Sequence, residues 1–247
     1  MAKNQQEAIA QMRKSIEKLG SSAKKYGDAT LLRFLIARSM DPMAAAKMFV
    51  EWQKWRDSFV PFGHIPANEV SDQLEARKVC LAGPTIDGHP ILIVLASNHF
   101  PPKDFLQFKK FVVHLLDKTI ASGVKESEVG DEKLVGVLDL QNISYRNIDA
   151  RGLITGFQFL QAYYPERLAK LYMVNMPWIF VSVWNFVSRF LEKATLEKVV
   201  VVKNDEDRND FVRAVGEANL PEEYGGKAKL VALQDVTINH WPLPVQA

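Results

Sequence analysis

Five histidines, one cysteine and a paired glycine followed by lysine are the residues whose types most readily do chemistry in this chain. His64, His89, His99, His114 and His240 could bind metal or move protons if they were paired. No two of them stand at metal-ligand spacing. His114 lies among Phe111, Val112 and Leu115 and reads as a partly buried structural residue. Cys80 is alone, which excludes an intramolecular disulfide and a thiolate zinc site. Gly225-Gly226-Lys227 is similar to the end of a phosphate-binding loop. That template needs glycine where Pro221 stands and Ser or Thr where Ala228 stands, so the segment reads as a turn. No Gly-x-Ser-x-Gly elbow and no Gly-x-Gly-x-x-Gly fingerprint is present. The acidic residues are scattered. The expectation is a protein with no metal and no cofactor that is not an enzyme.

Composition places the chain among ordinary globular proteins. The 247 residues carry 31 Lys+Arg against 29 Asp+Glu, a net charge of +2, with 47% hydrophobic and 24% charged residues. That mixture is globular rather than disordered or collagen-like. Near-neutral charge gives no general case for nucleic acid. The first residues are polar, with no apolar leader, so a cytoplasmic, reducing location is expected.

One stretch departs from the average. From Leu171 to Ser188 no residue is charged. The window is at the threshold for a membrane span, but Asn175, Pro177, Ser182 and Asn185 interrupt it. Pro177 should divide it into a short strand and a helix running from Trp178 to Leu191. That helix is apolar nearly all round, so it is buried on all sides or meets a non-aqueous partner. A core helix, a helix lining a lipid cavity, a membrane span and a protein-interface helix all fit this pattern. Pro177 before it and Lys193-Ala194 after it are hinge candidates.

The elements around the window follow from periodicity. Ile9, Met12, Ile16 and Leu19 share a helical face that stops at Gly20. Asp28 and Asp41-Pro42 read as caps of two further helices, the last carrying Met48, Phe49, Trp52 and Trp55. Val79–Ala82 and Ile91–Ala96 flank Asp87-Gly88 as a hairpin. Asp104 caps a helix with Phe105, Phe108, Val112 and Leu115. Strand–helix alternation over residues 133–203 predicts parallel pairing. Phe211 and Val215 mark a last helix ending near Gly216, and residues 229–247 read as an extended surface segment.

Three motifs carry a resemblance. Leu31–Ser39 with Lys47–Arg56, Tyr163–Pro177, and Leu220–Gly226 occur in the order and spacing of the CRAL-TRIO lipid-binding family. The branch they resemble most is the secretory-pathway phosphatidylinositol transfer proteins. The resemblance implies an α/β fold with a helical N-terminal lobe (1–65) packed beside a lipid-binding domain (66–230). A mixed, partly parallel sheet encloses a lipid pocket gated by a helix, and an extended tail (231–247) follows. It implies a phosphatidylinositol headgroup site at Arg38, Glu166, Thr195 and Lys198. By charge, Arg38 is expected to pair with Glu166 across the two lobes. It implies a gate helix that contacts the membrane through Trp178, Phe180, Trp184, Phe186, Val187 and Phe190. The implied partners are phosphatidylinositol, a transient membrane surface and a phosphoinositide kinase, with the protein acting as a monomer. Leu134 and Gly136 stand where family members with two ligands carry hydroxyls. That puts phosphatidylcholine as second ligand in doubt and leaves a sterol or isoprenoid open.

Overall fold

The computed structural model describes residues 3–123, 132–238 and 241. His240 and most of residues 239–247 lie outside them. Three helices form first: α1 (Lys3–Lys18), α2 (Asp28–Ala37) and α3 (Pro42–Phe59). Their apolar stripes close on one cluster built around Met12, Ile16, Leu31, Phe34, Phe49 and Tyr26. Phe34, Phe49 and Tyr26 meet edge to face at 5.1 Å, an arrangement favoured by the ring quadrupole. Asp41 caps α3 by accepting from Met43 and Ala44 N–H. Asp28 is not a cap: Gly27 holds that position, and Asp28 pairs with Arg13 at 2.8 Å. Leu19 follows α1 and is exposed, because the chain turns at Gly20 with φ 75° before another helical turn forms.

The rest of the chain is a six-stranded mixed sheet flanked by helices. The strands are β1 (Val79–Pro84), β2 (Pro90–Leu95), β3 (Leu134–Asp139), β4 (Leu168–Val174), β5 (Val199–Val201) and β6 (Val231–Ala232), in the order β5-β4-β3-β2-β1-β6. β1 and β2 form the hairpin turned at Gly88 (φ 85°). β2, β3, β4 and β5 are parallel neighbours, with Leu95 beside Asp139 at one edge and Leu134 beside Leu168 at the other. A short α4 (Ser71–Glu75) precedes β1. α5 (Phe105–Ser122), α6 (Ala150–Tyr163), α7 (Trp178–Val187) and α8 (Lys193–Leu196) lie in the crossovers, and α9 (Asp205–Val215) follows β5. Alternate strand residues face opposite layers. Leu92, Leu134 and Leu168 pack with α5 and α6, whereas Ile91, Val135 and Tyr172 pack with Phe211 and Val215 of α9.

One expectation is corrected. Residues 231–238 do not lie loose on the surface: β6 extends the sheet along β1, and Leu233 is fully buried. The cause is the unpaired edge of β1, which a short apolar segment can satisfy. The uncharged window divides at Pro177 into β4 and α7, as expected. Asn175 turns the chain with φ 55°, Pro177 starts α7, and no described helix is long and apolar enough to cross a membrane.

Candidate lipid site

An apolar cavity lies between the sheet and α5, α6 and α7. Its walls include Leu92, Val94, Leu134, Leu138, Phe157 and Phe180. Gly136, Gly152 and Gly156 also line it, and a side chain at Gly156 would meet nothing within 4 Å. The free space is about 200 Å³, below the ~300–1,000 Å³ usual for small-ligand pockets.

α7 closes this cavity with one face and shows the other to solvent. Phe180 (3% exposed) and Val187 (0%) are buried, and Trp184 packs on Phe157. Trp178 is 79% exposed, and Val181, Phe186 and Phe190 are exposed with it. Of the residues that the resemblance assigns to the gate helix and membrane contact, Phe180 and Val187 therefore face inward in this conformation, while Trp178, Phe186 and Phe190 are exposed. The short 3₁₀ turn Ser188–Phe190 continues α7.

The tyrosine-rich motif proves largely to be a staple between the helical and α/β layers. Tyr163 stacks on Trp55 with centroids 3.7 Å apart. The Tyr164 hydroxyl donates to Asp117 at 2.7 Å, and Arg56 donates to the same carboxylate at 2.9 Å. Burial and the neighbouring Asp117 raise the Tyr164 hydroxyl well above its ordinary range. Arg167 donates to Glu132 at 2.6 Å in a buried ion pair. Arg33 on α2 reaches the Pro165 carbonyl at 3.3 Å.

Glu166 of the same motif is half-buried. It sits in the left-handed region (φ 56°), and its carboxylate lies 3.2 Å from Lys198 Nζ. Thr195 lies on α8, and Lys198 N–H donates to the Thr195 carbonyl, so one helical turn carries both. The structure thus brings together Glu166, Lys198 and the turn of Thr195. Arg38 does not complete a pair with Glu166. It ends α2 with its guanidinium donating to the Ala37 carbonyl at 2.9 Å, because the chain turns away through Ser39 and Met40, both at positive φ.

The C-terminal motif is structural. Tyr224 donates to Asp139 at 2.8 Å, and Asn175 donates to the other oxygen of the same carboxylate at 2.9 Å. Burial raises the Tyr224 hydroxyl above its ordinary range. Gly226 passes so close to Leu220 that a Cβ would lie 1.8 Å from its carbonyl oxygen. The segment is a tight turn rather than a phosphate loop.

A polar cluster missed by the sequence reading lines the cavity. Lys78, at the start of β1, donates to Gln73 Oε1 at 2.6 Å and lies 3.0 Å from His99 Nδ1. His99 Nε2 lies 3.1 Å from Asp149 Oδ2. Asp149 also caps α6 by accepting from Gly152 N–H at 2.8 Å. These distances fit a neutral imidazole that accepts at Nδ1 and donates at Nε2. Burial lowers the Lys78 ammonium to about 8, with Asp149 opposing the shift. Burial pushes the Asp149 carboxyl up, but the bonds from His99 and Gly152 outweigh it and hold it below its ordinary value. His114, by contrast, is a core residue on the Ile65 carbonyl, as expected, with its imidazole lowered by burial. Among the described residues no group of acidic, histidine or cysteine side chains could hold a metal ion.

Comparison with known proteins fits this geometry. A Sec14 cytosolic factor of Schizosaccharomyces pombe is 29% identical over 91% of this chain and 83% of its own length. A phosphatidylinositol transfer protein, CSR1, of Eremothecium gossypii is 28% identical over 82% of this chain and 48% of its own. The crystal structure of Sfh5 superposes with a TM-score of 0.67 at 18% identity, over 95% of this chain and 91% of that one, which supports the fold. The CRAL/TRIO domain model matches residues 74–226, more than half of the chain, and the protein belongs to the CRAL/TRIO family of lipid-binding and lipid-transfer proteins.

Proposed function

We propose that the protein holds phosphatidylinositol, with acyl chains in the apolar cavity and the phosphoinositol group at Lys198, Thr195 and Glu166. It exchanges that lipid between membranes or presents it to a phosphoinositide kinase, and it catalyses no reaction. The observation that carries this reading is the two-sided α7: Phe180 closes the cavity while Trp178, Val181, Phe186 and Phe190 stand exposed. A phosphodiester calls for a fixed cation and a hydroxyl donor, which Lys198 and Thr195 supply. Glu166 supplies acceptors for inositol hydroxyls. Arg38 is proposed only as a peripheral cation, since it bonds elsewhere.

The mechanism follows from the cost of moving lipid. About 30 CH₂ groups at ~0.8 kcal/mol each put roughly 24 kcal/mol against passage through water. The cavity must therefore open while touching a bilayer. The exposed aromatics of α7 suit the membrane interface, and displacement of α7 enlarges a cavity too small for two acyl chains. Hinging at Pro177 and at Lys193-Ala194 would do this, giving a cytoplasmic monomer that visits membranes transiently.

The test is transfer of radiolabelled phosphatidylinositol between vesicles by the double variant Thr195→Asp, Lys198→Ala, with folding checked by circular dichroism. A folded variant that has lost transfer supports the site. Unimpaired transfer, or loss of structure that accounts for the defect, removes its support.

A further inference from the structure

We propose that Lys78 anchors the carboxylate of a single-chain, otherwise apolar ligand, such as a long-chain fatty acid, at the buried end of the cavity. The Lys78–His99–Asp149 cluster and the Lys198–Glu166 pair lie at opposite edges of the parallel strands. Lys78 accepts from Leu95 N–H, at the edge where Leu95 pairs with Asp139. Lys198 accepts from Leu171 N–H, and Glu166 immediately precedes the β4 segment that pairs with Leu134. A strand of six residues separates the two edges by about 17 Å at ~3.3 Å per residue. The buried cluster is therefore distinct from the proposed phosphoinositol site.

Within the cluster, Lys78 is the group with donating capacity to spare. Each Asp149 oxygen already accepts a hydrogen bond, and both His99 ring nitrogens are engaged. Lys78 has three N–H groups. Two have acceptors in Gln73 and His99, and around the third stand the ring faces of Phe108 and Phe111, at 5.6 and 5.1 Å. Aromatic faces are weaker partners for a buried cation than a carboxylate. Lys78 is only 4% exposed, and its compensating charge on Asp149 lies beyond His99. The environment leaves the ammonium under-compensated, since its burial outweighs the attraction of Asp149. An anionic head corrects this directly, whereas an alcohol head only adds a neutral acceptor. The remaining walls are apolar, and the small free volume favours one chain over two.

This inference rests on the reading of the cavity as a lipid site, and the experiment separates the two. The full chain is titrated with oleate and with oleyl alcohol, each displacing an environment-sensitive fluorophore, while phosphatidylinositol transfer is measured in parallel. Oleate should bind roughly ten- to hundredfold tighter than the alcohol, the worth of one charge-assisted bond. Lys78→Met should erase that preference. Equal affinity of the two probes for the native protein overturns the proposal, as does oleate preference that survives in folded Lys78→Met. The native comparison decides alone if the variant does not fold. Transfer without oleate preference refutes the anchor and leaves the transfer reading intact. Oleate preference without transfer does the reverse.

Discussion

The two ends of the parallel strands handle charge in opposite ways. At the Glu166–Lys198 end the ion pair is partly open to water, with side-chain exposures of 22% and 27%. Water screens such a pair, so it costs little to break and its members can exchange partners with a headgroup that stays wet. At the Lys78–His99–Asp149 end the ammonium is buried, and its neighbours are wired in a line that ends on the α6 N-terminus. There water cannot replace a lost partner. One end suits a hydrated phosphoinositol and the other a small anion delivered with its own apolar chain.

Substitutions at the two ends should have different consequences. The largest effect belongs beside the wet end, where Arg167 adjoins Glu166 in sequence but is buried on Glu132. Arg167→Ala leaves the Glu132 carboxylate without that cation and should cost about 3–5 kcal/mol in urea denaturation. A loss below about 1 kcal/mol would show that this end is wet throughout.

The buried end should reveal itself by pH. The folded ammonium of Lys78 titrates at about 8, below the ordinary lysine value of 10.5. Between these values the unfolded chain binds the extra proton, so stability rises with pH. Below 8 the buried charge is a burden in the folded state, and above 10.5 the gain is complete. The stability of the native protein relative to Lys78→Met should therefore increase from pH 7 to pH 10, by up to about 3 kcal/mol. A flat difference would contradict burial of this cation.

Between the ends, Gly156 borders open space. Gly156→Ala should stabilise α6 by about 0.4–1 kcal/mol through the unfolded chain. Gly156→Phe should remain folded yet lose lipid uptake, because the ring fills the cavity. The smallest effect is predicted for Glu166→Gln, less than about 1 kcal/mol of stability, with phosphatidylinositol transfer reduced all the same.

Much of the fold was legible because its signals are local. Asp41 and Asp104 cap α3 and α5 as expected, and Gly88 and Gly216 turn the chain where they should. Asp28 misled because a side chain of capping type at a helix start can equally serve as the first helical residue and pair with Arg13. β6 was missed because two residues carry no periodicity, and it forms only because β1 offers an open edge.

The site divides in the same way. Thr195, Lys198 and Glu166 were named through the motif resemblance, and the structure sets Glu166 beside Lys198, one helical turn from Thr195. The Arg38–Glu166 pairing failed, since nothing in a residue's type says which way a guanidinium turns after a helix ends. The Lys78–His99–Asp149 cluster was invisible because no local spacing links its members. Only the β1–β2 hairpin and the start of α6 bring them together. His99, passed over for want of a neighbouring ligand, is the middle of that chain of bonds.

The central claim is that this cavity takes up phosphatidylinositol from a membrane through α7. The most direct measurement is native mass spectrometry of the full chain after incubation with vesicles of mixed phosphatidylinositol and phosphatidylcholine. A mass increment of one phosphatidylinositol per chain is expected, absent from the folded Thr195→Asp, Lys198→Ala variant. A chain that emerges without lipid, or that carries the two phospholipids in the proportions of the vesicle, would contradict it.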